Sequence, residues 1–216
     1  MGTAAPGNAL APSPGAPATA RPGRPPLTTH ATLERLGIEL FTTRGFEATS
    51  VDDIAAAAGI SRRTFFRYFS SKADVVWGKF DTEVAELRAD LAATPEDAPL
   101  MDALRTAVVR FNTVPAAHQA QHRRRLRLLL EVPDLIAHST LRYAQWRRAV
   151  DEFAAARLGQ DPEDLLPRTI GRCALGATLA AYEQWMREED ADLGSLIDQA
   201  FRALSVGFEQ TVASTP

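Results

Sequence analysis

Apolar residues recur at helical spacing along most of this chain, and no stretch alternates apolar and polar residues as a strand would. Glycines, prolines and capping residues divide the pattern into segments with the lengths of ordinary helices. The pattern therefore predicts an all-α fold of about nine helices. The predicted segments are 28–44, 50–59, 61–69, 71–93, 101–114, 116–132, 133–158, 162–189 (or 165–189) and 193–211.

Residues 50–69 are predicted to form two short helices joined by a tight turn. Ser50 and Asp53 have the spacing of a capping box, and the four alanines that follow favour a helix. Gly59 can adopt the positive φ that ends this helix, and Ser61 can cap the next one. The second helix has two phenylalanines four residues apart on one face and basic residues elsewhere. This arrangement predicts a helix-turn-helix with a basic second, or recognition, helix.

The charge is unevenly distributed along the chain. The net charge is −3, but residues 1–72 contain 8 Lys and Arg against 5 Asp and Glu. A basic first part before an acidic remainder is typical of a DNA-binding domain attached to a domain with another role. The single cysteine, Cys173, excludes an intrachain disulfide and favours a reducing compartment. The chain has neither a secretory signal nor an apolar run long enough for a membrane, so we expect a cytoplasmic protein without membrane contact.

Composition divides the chain into three predicted regions. Residues 1–26 are rich in Pro, Ala and Gly and are expected to be disordered. Residues 27–72, here called the head, are predicted to be a three-helix helix-turn-helix DNA-binding domain. Residues 73–216, called the body, are predicted to be a helical bundle for ligand binding and dimerisation. Arg21 and Arg24, in the first region, either follow the minor groove of DNA beside the head or belong to a solvated tail.

The motifs of the head resemble those of the TetR family of one-component transcriptional regulators. The resemblance is carried by the Ala-Ala-x-Ala-Gly-Ile-Ser turn at 55–61 and by the spacing from Thr64 to Phe69-x-Ser-Lys72. Four blocks also resemble the subgroup of this family that is associated with mycofactocin gene clusters. These blocks are 62–69, 77–81, 138–143 and 181–185.

The resemblance implies a ligand-responsive dimeric regulator, most often a repressor, that binds a palindromic operator in double-stranded DNA through residues 62–68. A small hydrophobic or amphipathic effector, with acyl-CoA as one candidate, would bind in the body. Its binding would tilt the helix that starts at Ser71, change the spacing of the two recognition helices and release the operator.

Two other functions are considered, an effector-independent architectural DNA-binding protein and an acyl-CoA-processing enzyme. The sequence contains no nucleophile elbow and no Gly-rich phosphate loop, so an enzyme is not predicted. His118 and His122, like Asp134 and His138, have a spacing that can hold a metal, but no third ligand accompanies either pair. No metal site and no cofactor are predicted.

DNA contacts are expected mainly from the recognition helix. Arg62 and Arg63 lie in its first turn, where either could bind a guanine through two hydrogen bonds. Many members of the resembled family have at position 66 a tyrosine that binds a phosphate, so Phe66 either contacts a thymine methyl or packs. Arg63 stands where the family often has glycine. The predicted DNA-contacting residues are Thr28, Thr29, Ser50, Ser61, Arg62, Arg63, Thr64, Phe66, Arg67, Tyr68 and Lys72.

An effector site in the body is predicted from its aromatic residues and from the cationic run 122–127. The alternative is that the aromatic residues belong to the core, and the cationic run is either a solvated helix face or an anion site beside an apolar tunnel. The predicted ligand-binding residues are Phe111, Arg123, Arg127, Leu128, Tyr143, Trp146, Tyr182 and Trp185.

A homodimer interface is predicted on the last two helices. Small residues on one side of the first would permit close approach of a partner helix, and the second supplies bulky apolar residues. The alternative is that both sets form the core of one subunit. The predicted interface residues are Gly171, Ala174, Ala177, Thr178, Ala181, Ile197, Phe201, Leu204 and Phe208.

Overall fold

A computed structural model describes residues 1–2 and 28–207. These residues form helices joined by turns, without strands, so the predicted all-α class is confirmed. Residues 3–26 of the predicted tail, including Arg21 and Arg24, and the interface residue Phe208 lie outside the described residues. The helices are α1 (His30–Arg44), α2 (Val51–Ala57), α3 (Arg62–Phe65), α4 (Asp74–Trp77), α5 (Phe80–Ala92), α6 (Leu100–Phe111), α7 (Ala116–Glu131), α8 (Pro133–Leu158), α9 (Leu165–Arg187) and α10 (Leu193–Val206).

The caps of the head follow the sequence pattern. Both bonds of the predicted capping box are present. The Ser50 hydroxyl accepts from the backbone amide of Asp53, and the Asp53 carboxylate accepts from the backbone amide of Ser50. Gly59 has φ +65°, and Ser61 accepts a hydrogen bond from the Thr64 amide at 3.1 Å. Regular helix α3 is shorter than predicted, because the chain continues beyond Phe65 in tighter turns. The three helices of the head nevertheless form the predicted helix-turn-helix.

The predicted continuous helix over 71–93 is wrong, because the chain breaks at Gly78 between α4 and α5. Gly78 has φ +56°, a conformation that side chains with a Cβ rarely adopt. A Cβ at this position would also lie 2.7 Å from the Glu34 carboxylate. The backbone conformation therefore favours glycine, and the absence of a side chain lets the Glu34 carboxylate of α1 pack directly against the break.

The body is built around α8 and α9, which pack along each other, with α10 between α9 and α6. The head is attached to it through α4 and through α1, which packs against α7. Leu104, Leu135, Trp146 and Ile197 are among the buried side chains that join these helices. Within residues 28–207, no helix is both long and apolar enough to cross a membrane.

Most of the residues predicted for the dimer interface are buried inside one subunit, so that prediction is wrong for them. The missing side chain of Gly171 lets α9 approach Asp151 of α8, and the other small residues have the same effect along α9. Of the predicted set, Ala177 and Leu204 remain partly exposed. The buried members are Gly171, Ala174, Thr178, Ala181, Ile197 and Phe201.

Candidate functional site

The helix-turn-helix presents an exposed basic face. Phe65 is fully buried, whereas Phe66 is 45% exposed, so Phe66 does not pack in the core. Arg62 donates to Asp52 of α2 at 2.7 Å and lies 5.4 Å from the centre of the Phe66 ring. Arg63 and Arg67 are exposed and form no ion pair with the described residues. Arg63 and Arg67 are therefore the cations of this face that are free to meet DNA.

Two residues that are predicted to contact the DNA backbone also hold parts of the head together. Lys72 donates to the carbonyl oxygens of Phe46 at 2.8 Å and Thr49 at 3.1 Å. The hydroxyl of Tyr68 donates to the carbonyl of Thr28 at 2.8 Å. These donors position parts of the head relative to one another, and the contact of Tyr68 and Lys72 with DNA stays a prediction.

The hydroxyls at the helix starts have capping roles of their own. Thr29 accepts from the Thr32 amide at 3.2 Å, and the Ser61 and Thr64 hydroxyls lie 2.9 Å apart. Ser50 is exposed in the capping box of α2. These groups lie at helix N-termini, whose free amides favour anions such as phosphates. Their contact with DNA stays a prediction.

A cavity of about 860 Å³ lies between the head and the body. This volume is within the range of sites that bind drug-sized ligands. Its walls come from α1 of the head, from α4 and α5, and from α6 to α9 of the body, so an occupant would touch both parts of the chain. The apolar wall includes Val76, Trp77, Phe80, Leu87, Phe111, Leu126, Leu129, Tyr143, Trp146 and Leu175.

Aromatic rings form a continuous series along this wall. The ring of Trp77 lies 5.6 Å from Tyr143 and 4.8 Å from Phe80, measured between centroids. Phe111 follows at 6.3 Å from Phe80, and Trp146 at 6.4 Å from Phe111. These contacts are edge-to-face, the arrangement preferred by packed aromatic side chains. They create an extended apolar surface that suits an aliphatic chain.

Polar and charged groups also line the cavity, and burial changes the pKa of several of them. Glu34 of α1 and Arg125 of α7 form an ion pair with side chains 10% and 18% exposed. Burial lowers the pKa of Arg125 to about 10 and that of His122 to about 4, so His122 is neutral at physiological pH. Burial and the neighbouring Glu86 raise the pKa of the Glu83 carboxyl.

Three buried nitrogens in the cavity wall have no hydrogen-bond partner among the described residues. They are Nε of Arg125, Nε2 of His122 and Nε1 of Trp77. By contrast, the hydroxyl of Tyr182 is bonded to the side-chain oxygen of Asn112. Buried polar atoms are usually paired, so the unpaired nitrogens are candidates for contact with a ligand.

Two family profiles match the chain. The profile of bacterial regulatory proteins of the tetR family matches residues 35–76, and that of the MftR C-terminal domain matches residues 98–209, just over half of the chain. The chain belongs to the TetR family of bacterial transcriptional regulators.

A protein of Mycobacterium tuberculosis, named as the mycofactocin biosynthesis transcriptional regulator MftR, is 41% identical over 90% of this chain and 98% of its own length. Together with the C-terminal profile, this match confirms the predicted resemblance to the mycofactocin subgroup. FadR of Thermus thermophilus, solved with lauroyl-CoA, covers 82% of this chain and 93% of its own at 22% identity and a TM-score of 0.52. FadR of Bacillus subtilis, solved with stearoyl-CoA, covers 82% and 97% at 18% identity and a TM-score of 0.59. These two structures share the fold of this TetR-family chain.

The structure divides the predicted ligand-binding residues into two groups. Phe111, Tyr143, Trp146 and Tyr182 line the large cavity. Arg123, Arg127, Leu128 and Trp185 are not part of its wall.

The two groups differ on α7 in the helix face on which their side chains lie. Arg123 donates to the carbonyls of Glu188 and Glu189 and lies 4.0 Å from the Trp185 ring, so it closes the end of α9. Arg127 is exposed next to Glu131, and Leu128 is buried in the core. Arg123 and Arg127, four residues apart, share a helix face, whereas the intervening Arg125 lies on another.

The apolar spacing of α7 could have revealed the correct face. Arg125 and Leu126 lie three and four residues after His122, Leu129 lies four and three residues after them, and all four line the cavity. The cavity-facing side of α7 is therefore indicated by a basic residue that shares a helix face with apolar residues, and not by the number of positive charges in the run.

Replacing Arg63 by alanine is expected to weaken operator binding by about 1–3 kcal/mol per head, because a bidentate contact to a guanine is lost. The measurement is fluorescence anisotropy on DNA from upstream of the gene, at one fixed salt concentration. Arg148→Ala, which removes an exposed arginine of α8, is the matched control. An operator affinity for Arg63→Ala equal to that of the control would contradict the base contact.

Proposed function

We propose that this TetR-family chain is a homodimeric cytoplasmic repressor that releases its operator when an acyl-CoA binds in the large cavity. The observation that carries the proposal is the position of this cavity, walled on one side by α1 and α4 and on the other by α6 to α9. An occupant can therefore change how the head sits on the body. Such a change alters the spacing of two recognition helices on a palindromic site.

The chemistry of the wall supports an acyl chain as the buried part of the effector. The series of aromatic rings offers apolar contact along its length, and apolar burial stabilises by about 25 cal/mol per Å². Glu83, Glu86 and Asp90 also line the cavity, and their charge is unfavourable for the phosphates of coenzyme A. We therefore place the acyl chain inside and the nucleotide outside. The two FadR proteins solved with acyl-CoA ligands have the same fold, which supports this class of effector.

Exposed leucines on α8 and α9 support a homodimer. Leu165 is 85% exposed, Leu166 48% and Leu158 38%, and they lie near one another in the chain around the α8–α9 turn. Large exposed apolar groups that cluster on a surface often mark a protein contact. We place the dimer contact on this exposed surface of α8 and α9, together with the partly exposed Ala177.

The proposal is tested by adding stearoyl-CoA to the complex of the full chain with upstream DNA. We expect the operator dissociation constant to rise about tenfold or more, within the usual range of allosteric coupling. Free coenzyme A, which lacks the acyl chain, is the control and is expected to have no effect.

The outcome also separates the alternative functions. An operator affinity and a melting temperature that no acyl-CoA changes would contradict the proposed effector and favour an architectural DNA-binding protein. The families and relatives matched by the chain are transcriptional regulators rather than enzymes.

A further inference from the structure

One carboxylate connects three parts of the molecule. Glu34 belongs to α1 of the head, pairs with Arg125 of α7, and lies so close to Gly78 that a Cβ there would be 2.7 Å from its Oε2 atom. Gly78 is the break between α4 and α5, the helices that join head and body. The Glu34–Arg125 pair thus holds the head against the body at the point where the connection is bent.

This pair also lies in the wall of the cavity, where Arg125 is the buried base. The other arginines of the wall are more exposed and have carboxylate partners, Arg35 with Glu39 at 3.4 Å and Arg110 with Asp90 at 3.1 Å. Arg125 retains a buried Nε without a partner, and the unpartnered Nε2 of the neutral His122 lies one turn away on the same face. The arrangement suits a ligand that brings an acceptor oxygen to this part of the cavity wall.

We propose that Arg125 binds the carbonyl oxygen at the head of the effector's acyl chain and, in doing so, gives up Glu34, which frees the head from the body. This inference rests on the proposed acyl effector. It assigns Arg125 as the group that recognises the effector and the Glu34–Arg125 pair as the contact that effector binding breaks. The oxygen belongs either to a thioester or to a carboxylate; each can accept a hydrogen bond from the guanidinium, and the charged carboxylate accepts the stronger one.

The Glu34 carboxylate and the effector oxygen compete for Arg125 because the site is buried. A buried carboxylate that loses its cationic partner is strongly destabilised. Glu34 can regain solvation only if α1 moves away from α7 and takes the head with it. The positive-φ break at Gly78 lies directly against Glu34, so the connection can change its bend where the pair is released.

Glu34→Gln is the first test, with Glu39→Gln on the exposed side of α1 as its matched control. Because the amide removes the competing charge, stearoyl-CoA is expected to bind Glu34→Gln about tenfold more tightly than the wild type. By linkage, the operator affinity without ligand is expected to fall by a similar factor, and the remaining response to stearoyl-CoA to shrink. Glu39→Gln is expected to behave as the wild type in all three measurements.

Arg125→Gln is the second test, with Arg127→Gln on the exposed face of α7 as its control. Stearoyl-CoA and stearate are titrated in parallel, which distinguishes a thioester from a carboxylate as the source of the oxygen. The affinity for the preferred ligand is expected to fall about tenfold or more in Arg125→Gln and to be unchanged in Arg127→Gln. If circular dichroism shows that Arg125→Gln has lost helix, Arg125→Lys, which keeps the charge, is measured in its place and is expected to retain part of the affinity.

The results separate this inference from the proposed function. If stearoyl-CoA releases the wild-type operator complex but Glu34→Gln and Arg125→Gln respond as their controls do, the role of the pair is overturned and the effector proposal stands. If neither stearoyl-CoA nor stearate binds the wild type, the assignment of Arg125 as the acyl-binding group is overturned together with the effector. A weakened operator affinity of Glu34→Gln would then still support the pair as the contact that holds the head.

Discussion

Replacing Phe65 by alanine is expected to destabilise the head by about 3–5 kcal/mol, the usual cost of removing a large buried aromatic side chain. Phe65 is fully buried, with the Phe69 ring 5.7 Å away and the Phe66 ring 5.5 Å away. It anchors the recognition element to the rest of the head. Because whole domains are stable by only about 5–15 kcal/mol, operator binding is expected to be lost with the fold of the head.

Urea unfolding followed by circular dichroism measures this effect, and Phe66→Ala provides the control from the next position. Phe66 is half exposed, so its removal is expected to change the unfolding midpoint little. Equal midpoints for the two variants would contradict the assignment of Phe65 to the core and of Phe66 to the surface.

Filling the cavity is expected to abolish the response to acyl-CoA while leaving operator binding intact. Leu175 of α9 is partly buried and lines the cavity, so Leu175→Trp places a larger side chain where the acyl chain would lie. Leu179, one turn further along α9, is also partly buried but does not line the cavity. Leu179→Trp is therefore the matched control for overpacking.

The variants are compared by operator anisotropy with and without saturating stearoyl-CoA. Leu175→Trp is expected to keep the operator affinity of the wild type and to lose all of its about tenfold release. Release from Leu175→Trp equal to that from Leu179→Trp would show that the effector binds elsewhere.

The head could be predicted from sequence because its signals are local. Ser50 with Asp53 and Ser61 with Thr64 are close in sequence, and their caps form as the spacing indicates. Gly59 similarly ends α2 through its own backbone conformation. Lys72 is different, because the carbonyls that it binds belong to the loop after α1, and only the folded head brings them together.

The break at Gly78 could not be predicted in the same way. A glycine within a helical pattern is ordinarily tolerated, at a cost of about 1 kcal/mol relative to alanine. Here glycine is favoured by the positive φ of the break, and the Glu34 carboxylate of α1 packs directly against it. Glu34 is far from Gly78 in sequence, so the local sequence pattern of α4 and α5 does not indicate their contact.

Helix faces in the body were harder to assign than the helices themselves. Small residues such as Ala174 and Thr178 permit close approach of any helix, whether from the same subunit or from a partner. In this fold α8 and α10 of the same subunit pack against α9. The pattern therefore identifies a close helix contact but not the chain that supplies it.

If acyl-CoA binding in the cavity weakens operator binding, then operator binding must weaken acyl-CoA binding by the same factor. Trp77 and Trp146 line the cavity, so tryptophan fluorescence can report stearoyl-CoA binding to the free protein and to its operator complex. We expect the stearoyl-CoA dissociation constant to be higher for the operator complex, by the same factor of about ten or more by which stearoyl-CoA raises the operator dissociation constant. Equal stearoyl-CoA affinities for the free and operator-bound protein would contradict control of operator binding from the cavity.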